Sequence, residues 1–313
     1  QQNVSRIART SVIMKPTLKT AVPLCIAVLV GAVVLITSAG KVHAQSGGNA
    51  ATTASSAPRL DEQAIALLRR SAEFLAGQNA MSFNWFVSYE EVIDEREKIT
   101  FMRSGSNLLV RDKGFFSRAE GENGIREWRY DGQQVTFVAP AENYYASAEF
   151  KGGFDALVDS ARESMGSEIP LYAIMRRGLP ERLEEGLKRA AYLGITRVAD
   201  REVHHLAFSE EDVDWQVGLS TDGQQPVPLV IAGTEPKKLG WPQYRAYLTD
   251  WTFTPEYDAA LFKYRPGEGE VKISFPELKA RAAAEAAGEP AKHEQAPGNE
   301  ADAATKNKEG QQK

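Results

Sequence analysis

The stretch of residues 126–148 constrains the fold of this chain more than any other part of the sequence. It reads REWRYDGQQVTFVAPAENYYASA, in which turn residues interrupt aromatic and β-branched residues at two places. The first interruption is Asp131-Gly132, a dipeptide that closes tight hairpins because both residues tolerate a positive φ. The second contains Pro140 and Asn143. Three consecutive antiparallel strands are therefore predicted here, and no catalytic motif lies on them.

Alternating apolar and polar residues recur on both sides of this stretch and predict further strands. Before it, residues 82–94 and 99–120 predict strands joined by short polar turns. We place one of these turns at residues 104–106, which read Ser-Gly-Ser. After it, residues 192–263 predict a second group of strands.

Helical periodicity appears at two places in the sequence. Residues 61–78 carry apolar side chains at three- and four-residue steps and begin with Asp61, a favourable N-cap. Residues 154–189 predict two or three shorter helices, one of which starts at Pro180. The resulting order predicts an α+β fold, in which helices cover one face of a long curved antiparallel sheet.

Both ends of the chain differ in composition from the middle. Residues 1–44 contain a basic lead, an apolar run and small residues before a cleavage point, which is the layout of an export signal. The alternative is an uncleaved anchor in the inner membrane, because the apolar run at residues 21–39 is long enough to span a bilayer. We expect a flexible linker at residues 45–59 and a disordered tail at residues 276–313. The folded domain is therefore expected at residues 60–275.

Charge and cysteine content exclude several classes of function. The formal net charge of −5 does not provide the basic face that nucleic-acid binding requires. The one cysteine, Cys25, lies in the export signal, so the processed chain has no thiol for a disulfide, a metal site or a nucleophile. His204 and His205 are adjacent on a predicted strand and point to opposite faces, so they do not bind one metal together. We therefore predict no cofactor and no metal.

Recognisable catalytic motifs are also absent from the sequence. It contains neither a Gly-x-Ser-x-Gly nucleophile turn nor a glycine-rich phosphate loop followed by Lys-Ser or Lys-Thr. Acidic clusters at residues 90–91, 184–185 and 210–212 are interpreted as solvated faces or turns. The chain is therefore not expected to be an enzyme, and a hydrolase acting at a cavity mouth is the third hypothesis.

Several spaced motifs resemble an uncharacterised family of predicted periplasmic proteins. They are Trp128-x-Tyr130-Asp131-Gly132, Asn143-Tyr144-Tyr145-Ala146, Pro170-Leu171, His205-Leu206-Ala207-Phe208, Asp214-Trp215-Gln216, Pro226-x-Pro228 and Pro242-Gln243-Tyr244. The family is similar in fold to the lipoprotein carriers LolA and LolB, in which helices cover an apolar cavity inside an incomplete antiparallel barrel. The resemblance therefore implies a half-barrel in the periplasm, with a lipid, an acyl chain or a lipoprotein anchor as its partner.

The apolar faces of the predicted strands are the candidate walls of such a cavity. We expect this wall to contain Trp85, Val87, Tyr89, Phe137, Trp215, Val217, Leu219, Tyr247 and Trp251. Two interpretations remain open at this point. Either these faces line a cavity that binds a hydrophobic ligand, or the protein's own side chains fill the interior of a structural or interaction module of the cell envelope. The resemblance favours the ligand cavity.

Overall fold

The computed structural model describes residues 60–122, 124–165 and 169–286, and all the strands in these ranges belong to one twelve-stranded sheet. The strands are β1 (Ala80–Ile93), β2 (Glu97–Val110), β3 (Gly114–Gly121), β4 (Gly124–Tyr130), β5 (Gln134–Ala139), β6 (Tyr144–Glu149), β7 (Arg189–Val198), β8 (Arg201–Ser209), β9 (Asp214–Ser220), β10 (Pro228–Thr234), β11 (Gln243–Thr252) and β12 (Val271–Ile273).

The strand order makes the sheet an open, incomplete barrel. It runs β12-β6-β5-β4-β3-β2-β1-β11-β10-β9-β8-β7, so each half is a meander and the pairing of β1 with β11 joins the halves. All neighbours pair antiparallel except β12, which pairs parallel with β6. The two outermost strands, β12 and β7, do not pair with each other. The predicted α+β fold with a curved antiparallel sheet is confirmed.

Four helices accompany the sheet in the described residues. They are α1 (Glu62–Gly77), α2 (Phe154–Ser160), α3 (Leu179–Leu183) and α4 (Phe275–Ala286). A π-helical turn (Ala161–Met165) continues α2, and 3-10 turns lie at Pro140–Glu142, Tyr172–Met175 and Ala259–Phe262. Asp61 caps α1 as predicted, because its Oδ1 accepts from the backbone N of Gln63 at 2.9 Å.

The core lies between the concave face of the sheet and these helices. Alternate residues of β1, from Met81 to Tyr89, are buried on that face. On α1 the buried apolar side chains are Ala64, Leu68, Ala72 and Leu75, at the three- and four-residue spacing of one helix face. Burial of both sets from water is the main force that holds α1 against the sheet.

The turn predicted at residues 104–106 does not exist. β2 runs continuously through these residues, so the two strands predicted around them are one. Gly105 lies opposite Trp85 in the strand register, and a Cβ at Gly105 would overlap the Trp85 ring and the Arg118 carbonyl. The glycine therefore marks a close approach of a side chain to the backbone, which is one of the uses of glycine inside a strand.

The predicted C-terminal boundary is also wrong in part. Residues 276–286 belong to α4, in which Phe275 and Leu278 are 8% and 3% exposed and join the core cluster. The prediction failed because the Ala, Glu and Lys content of this region masks the contribution of two apolar anchors. The last strand of the group predicted over residues 192–263, at residues 260–263, is also wrong, since a 3-10 turn lies there. The predicted export signal and linker, and residues 287–313 of the tail, lie outside the described residues.

We predict that Gly105→Ala destabilises the protein by about 1–3 kcal/mol, because the added methyl group overpacks the contact with Trp85. The measurement is urea denaturation followed by tryptophan fluorescence. Gly77→Ala is the matched control, since a Cβ there meets nothing within 4 Å and is expected to stabilise by about 0.4–1 kcal/mol. Equal stability of the two variants would contradict the proposed contact.

We predict that Leu278→Ala costs about 2–5 kcal/mol, the usual range for truncation of a buried leucine. Deletion of residues 277–313 is expected to lower the thermal midpoint by several degrees or more. Deletion of residues 287–313, which leaves α4 intact, is the comparison that isolates the helix. Midpoints that agree between the two deletions would show that α4 does not contribute to stability.

Candidate ligand cavity

A cavity of ≈ 180 Å³ lies between the concave face of the sheet and the helices. The sheet contributes Trp85, Val87 and Tyr89 from β1, Arg103 from β2, Trp215, Val217 and Leu219 from β9, Pro228 and Ile231 from β10, and Tyr244 from β11. The opposite wall consists of Leu68, Ser71, Ala72 and Leu75 from α1, residues 169–174, and Leu179 and Leu183.

Strand register brings the three β1 residues of the wall together. Val87 pairs with Ala246 on β11 and with Arg103 on β2, and Tyr89 pairs with Tyr244. Side chains of paired residues share a face of the sheet, and alternate residues along a strand share it too. The pairing of β1 with both β2 and β11 therefore places the middle of β1 at the centre of the cavity wall.

The cover segment, residues 169–175, lies over the cavity opposite the sheet. It is anchored by a side chain of β2 and by the side chain of Arg111, the residue after β2. Asn107 Nδ2 donates to the Pro170 carbonyl at 2.8 Å, and Arg111 Nη2 donates to the Met175 carbonyl at 2.8 Å. Between these anchors Leu171 has φ 55°, a left-handed conformation that leucine adopts rarely. The cover is therefore held at its two ends, with a strained residue near the first.

A buried polar cluster connects the cover to the cavity wall. Asn107 Oδ1 accepts from Trp85 Nε1 at 3.3 Å and from Ser117 Oγ at 2.7 Å. Asn107 and Ser117 are each 1% exposed, so loss of one partner would leave a desolvated polar group. The orientation of the Trp85 indole and the position of Pro170 thus depend on one amide side chain.

Arg103 is the charged side chain of the cavity lining. Its Nη2 donates to Tyr89 Oη at 2.7 Å, and its Cζ lies 5.0 Å from the centre of the Tyr89 ring. Burial raises the pKa of the Glu91 carboxyl, and the positive charge of Arg103 opposes that increase. A cationic group on an aromatic ring therefore lies next to the apolar part of the cavity.

Trp215 is fixed at its position by a ring contact and a carboxylate. Its ring stacks on Phe208 with 4.2 Å between centroids, and its Nε1 donates to Glu210 Oε1 at 2.7 Å. Burial raises the pKa of Glu210, and the hydrogen bond from Trp215 opposes this. The indole N–H of Trp215 is therefore hydrogen-bonded to Glu210, and the apolar ring lines the cavity.

Six of the nine residues predicted for the wall line this cavity: Trp85, Val87, Tyr89, Trp215, Val217 and Leu219. The other three lie elsewhere. Phe137 is buried but packs edge-on against Trp128 in the first half of the sheet. Trp251 is not part of the lining; it stacks on Phe83 with 4.3 Å between centroids, and its Nε1 donates to the carbonyl of the lining residue Pro228 at 3.0 Å. Tyr247 is 38% exposed on the outer face.

The predicted shared face of Tyr247 and Trp251 is wrong because β11 contains a bulge. Ser82 pairs with Thr252, whereas Asn84 pairs with Thr249, so β11 has one more residue than β1 between these two pairs. Asp250, within the bulge, has φ 54°. The extra residue reverses the alternation, which leaves Tyr247 outside and turns Trp251 inward.

The sequence reasoning missed the helical side of the cavity and Arg103. Leu68, Ala72 and Leu75 were detectable, since they lie on the apolar stripe that predicted α1. Arg103 was missed because the turn wrongly predicted at residues 104–106 ended the strand there. The alternation of Phe101, Arg103 and Gly105 on one face of β2 was therefore not recognised. The cover segment has no regular periodicity and gave no comparable signal.

His204 and His205 lie on opposite faces of β8, as predicted. His204 Nδ1 is 3.1 Å from Tyr192 Oη, and His205 Nε2 is 2.9 Å from Gln216 Oε1. Across residues 60–122, 124–165 and 169–286, no three His, Cys, Asp or Glu side chains are grouped so as to hold a metal. Within the same ranges, no helix has the length and apolar character needed to cross a membrane.

A family comparison identifies the domain that contains this cavity. Residues 64–276 match the sequence profile of a family described as predicted periplasmic protein, DUF2092. The chain belongs to the DUF2092 family. The match includes both halves of the sheet, all of the cavity lining and the start of α4. It confirms the resemblance that the spaced motifs indicated, and with it the periplasmic location. No curated protein matches this DUF2092 chain significantly.

Several solved structures are similar to this DUF2092 protein at low sequence identity. The lipoprotein LppX of Mycobacterium tuberculosis is 10% identical with a TM-score of 0.38, over 63% of this chain and 100% of that one. LprF of Mycobacterium bovis is 8% identical with a TM-score of 0.39, over 63% and 96%. A LolA superfamily protein of Nitrosomonas europaea is 10% identical with a TM-score of 0.33, over 64% and 97%. All three TM-scores are below 0.5, so these similarities carry no information about the function of this chain.

We predict that Glu210→Gln changes the pH dependence of stability. Because the pKa of Glu210 is raised in the folded protein, folding favours the protonated carboxyl. The wild type should therefore lose stability relative to Glu210→Gln as the pH rises from below the usual glutamate pKa to neutrality. The amide oxygen of the substituted side chain still accepts from Trp215, so this hydrogen bond can persist.

The measurement is the difference in unfolding free energy between the two proteins across this pH range. Glu73→Gln, at an exposed position of α1, is the control for loss of one charge. A difference between wild type and Glu210→Gln that stays constant with pH would refute the prediction.

Proposed function

We propose that this protein binds a hydrophobic ligand, such as an acyl chain or another lipid tail, in the cavity between sheet and cover. The observation that carries the proposal is the lining itself, which is almost wholly aliphatic and aromatic on both walls. An apolar ligand that leaves water for such a site is stabilised by about 0.8 kcal/mol for each buried methylene.

The size of the cavity determines how a ligand would enter. Its ≈ 180 Å³ is close to the roughly 150 Å³ of an engineered apolar cavity that binds benzene. It is smaller than typical ligand pockets, which occupy about 300–1,000 Å³. The cavity therefore accepts a short part of an acyl chain as it stands, and a longer chain requires outward movement of the cover segment.

The composition of the lining supports a binding protein over the hydrolase hypothesis. The described residues that line the cavity include Ser71 and three tyrosines but no His, Cys, Asp or Glu. A hydrolase needs a general base within hydrogen-bond reach of its nucleophile or water. The hydrophobic walls thus favour binding or carriage of the ligand without chemical change.

The direct test is a titration of the delipidated protein with an apolar fluorescent dye, followed by displacement with fatty acids and phospholipids. We expect a saturable response, together with quenching or a blue shift of tryptophan emission, because Trp85 and Trp215 line the cavity. The absence of saturable binding for every probe would refute the proposed function and favour a self-filled structural module.

We predict that Ala72→Leu fills the cavity from α1. Ala72 lines the cavity and is 1% exposed, so a leucine there extends into existing space and is expected to cost less than about 1 kcal/mol. Dye and fatty-acid affinity should fall at least tenfold, or about 1.4 kcal/mol. Isothermal calorimetry and chemical denaturation measure the two effects.

Ala64→Leu is the matched control for this substitution. Ala64 lies on the same face of α1 and is 0% exposed, but it is not part of the lining. Overpacking there should cost about 1–3 kcal/mol and leave ligand affinity nearly unchanged. If Ala72→Leu is as destabilising as Ala64→Leu, the interior is filled by the protein itself and the ligand cavity is refuted.

A further inference from the structure

We propose that Arg103 binds the anionic head group of an amphiphilic ligand whose tail occupies the cavity. This inference depends on the proposed function, since it specifies the class of ligand that the cavity selects. The simplest such ligand is a long-chain carboxylate.

Arg103 lies within the wall of the cavity. It pairs with Val87 on β1 and with Gly121 on β3, and its side chain is part of the cavity lining. A Cβ at Gly121 would lie 2.5 Å from Arg103 Cγ, so the glycine leaves the space that the arginine stem occupies. The local structure therefore accommodates a long cationic side chain on an otherwise apolar face.

The guanidinium group of Arg103 uses only part of its hydrogen-bonding capacity within the protein. One N–H donates to Tyr89 Oη, a neutral acceptor, and the group lies over the Tyr89 ring. A guanidinium carries five N–H donors. Within the described ranges, no carboxylate lies close enough to Arg103 to form an ion pair with it. Arg103 is thus oriented by Tyr89 and retains donors for an incoming anion.

Glu91 is the acidic residue whose pKa is affected by the charge of Arg103. Glu91 lies on the same strand as Tyr89, two residues further along, and therefore on the same face. Burial raises its pKa more than the charge of Arg103 lowers it. Glu91 thus lies near enough for Arg103 to affect its pKa, and no ion pair joins the two side chains in the described part of the chain.

Together these features determine the orientation of the bound ligand, with its head group at Arg103 and its tail toward α1. A carboxylate at Arg103 accepts charge-assisted hydrogen bonds, which are roughly twice as strong as neutral ones and are often bidentate with arginine. The tail then extends along Val87 and Trp85 toward α1, where the walls are apolar. The head group and the tail of an anionic amphiphile are thereby matched to two adjacent parts of one cavity.

The test compares dodecanoate with dodecanol, at a pH well above the carboxylate pKa, by displacement of a bound apolar dye from the delipidated protein. The readout is the ratio of the two affinities. We expect Arg103→Gln to reduce the preference for dodecanoate at least tenfold and to leave dodecanol affinity nearly unchanged. Arg103→Lys, which keeps the charge, should retain part of the preference. Arg245→Gln, at an exposed position on the outer face of β11, is the control and should behave as wild type.

Each outcome separates this inference from the proposed function. If wild type binds both probes but Arg103→Gln leaves the ratio unchanged, the head-group site is refuted and the hydrophobic cavity stands. If wild type binds neither probe, the proposed function itself fails.

A measurement on the wild type covers the case in which Arg103→Gln does not fold. A carbon-13 titration of carboxyl-labelled dodecanoate reports the pKa of the bound carboxyl. A value below that of the free acid supports contact with Arg103, and an unchanged or raised value overturns it.

Discussion

The contact between the Trp85 indole and the backbone of β2 at Gly105 is the constraint on which the rest of the cavity depends. A side chain at position 105 would overlap the ring, so only glycine lets the indole lie across the strand. In that position Trp85 Nε1 reaches Asn107, and Asn107 in turn binds the Pro170 carbonyl of the cover segment. The cavity floor and one end of its cover are therefore positioned by three consecutive concave-face pairs of β1 and β2: Phe83 with Asn107, Trp85 with Gly105, and Val87 with Arg103.

This arrangement reconciles a buried polar cluster with an apolar cavity. Asn107 and Ser117 satisfy each other, the Trp85 indole and a cover carbonyl, so their polar atoms do not compete with a hydrophobic ligand for space. Movement of the cover must break the hydrogen bonds from Asn107 and Arg111, each worth about 0.5–3 kcal/mol. Burial of a few methylenes of ligand provides a free energy of that size. In the proposed function, burial of the ligand therefore offsets the free-energy cost of moving the cover without any change in the sheet.

Period-two alternation was enough to predict the parts of the wall that lie on regular strands. Trp85, Val87 and Tyr89 on β1, and Trp215, Val217 and Leu219 on β9, line the cavity, since alternate residues of a strand share one face. The same reasoning failed on β11, since the bulge at Asp250 is a property of its pairing with β1 and has no local signal. Phe137 was assigned to the wall because alternation predicts a face of the sheet but not a distance along it. The cover segment depends on contacts between residues more than 60 positions apart, such as Asn107 with Pro170.

Different helices cover different parts of the concave face of the sheet. In the first half, aromatic residues of the helices pack on the sheet: Phe154 of α2 packs on Phe115, and Phe275 of α4 stacks on Trp128. Where the two halves meet, α1 and the cover segment lie over β1, β9, β10 and β11 and leave the cavity between them. β2 pairs with β3 from Arg103 to Val110, so the wall that carries Arg103 is part of the continuous sheet. In the proposed binding mode, Arg103 therefore selects for the head group of a ligand more strictly than the cover segment selects for the length of its tail.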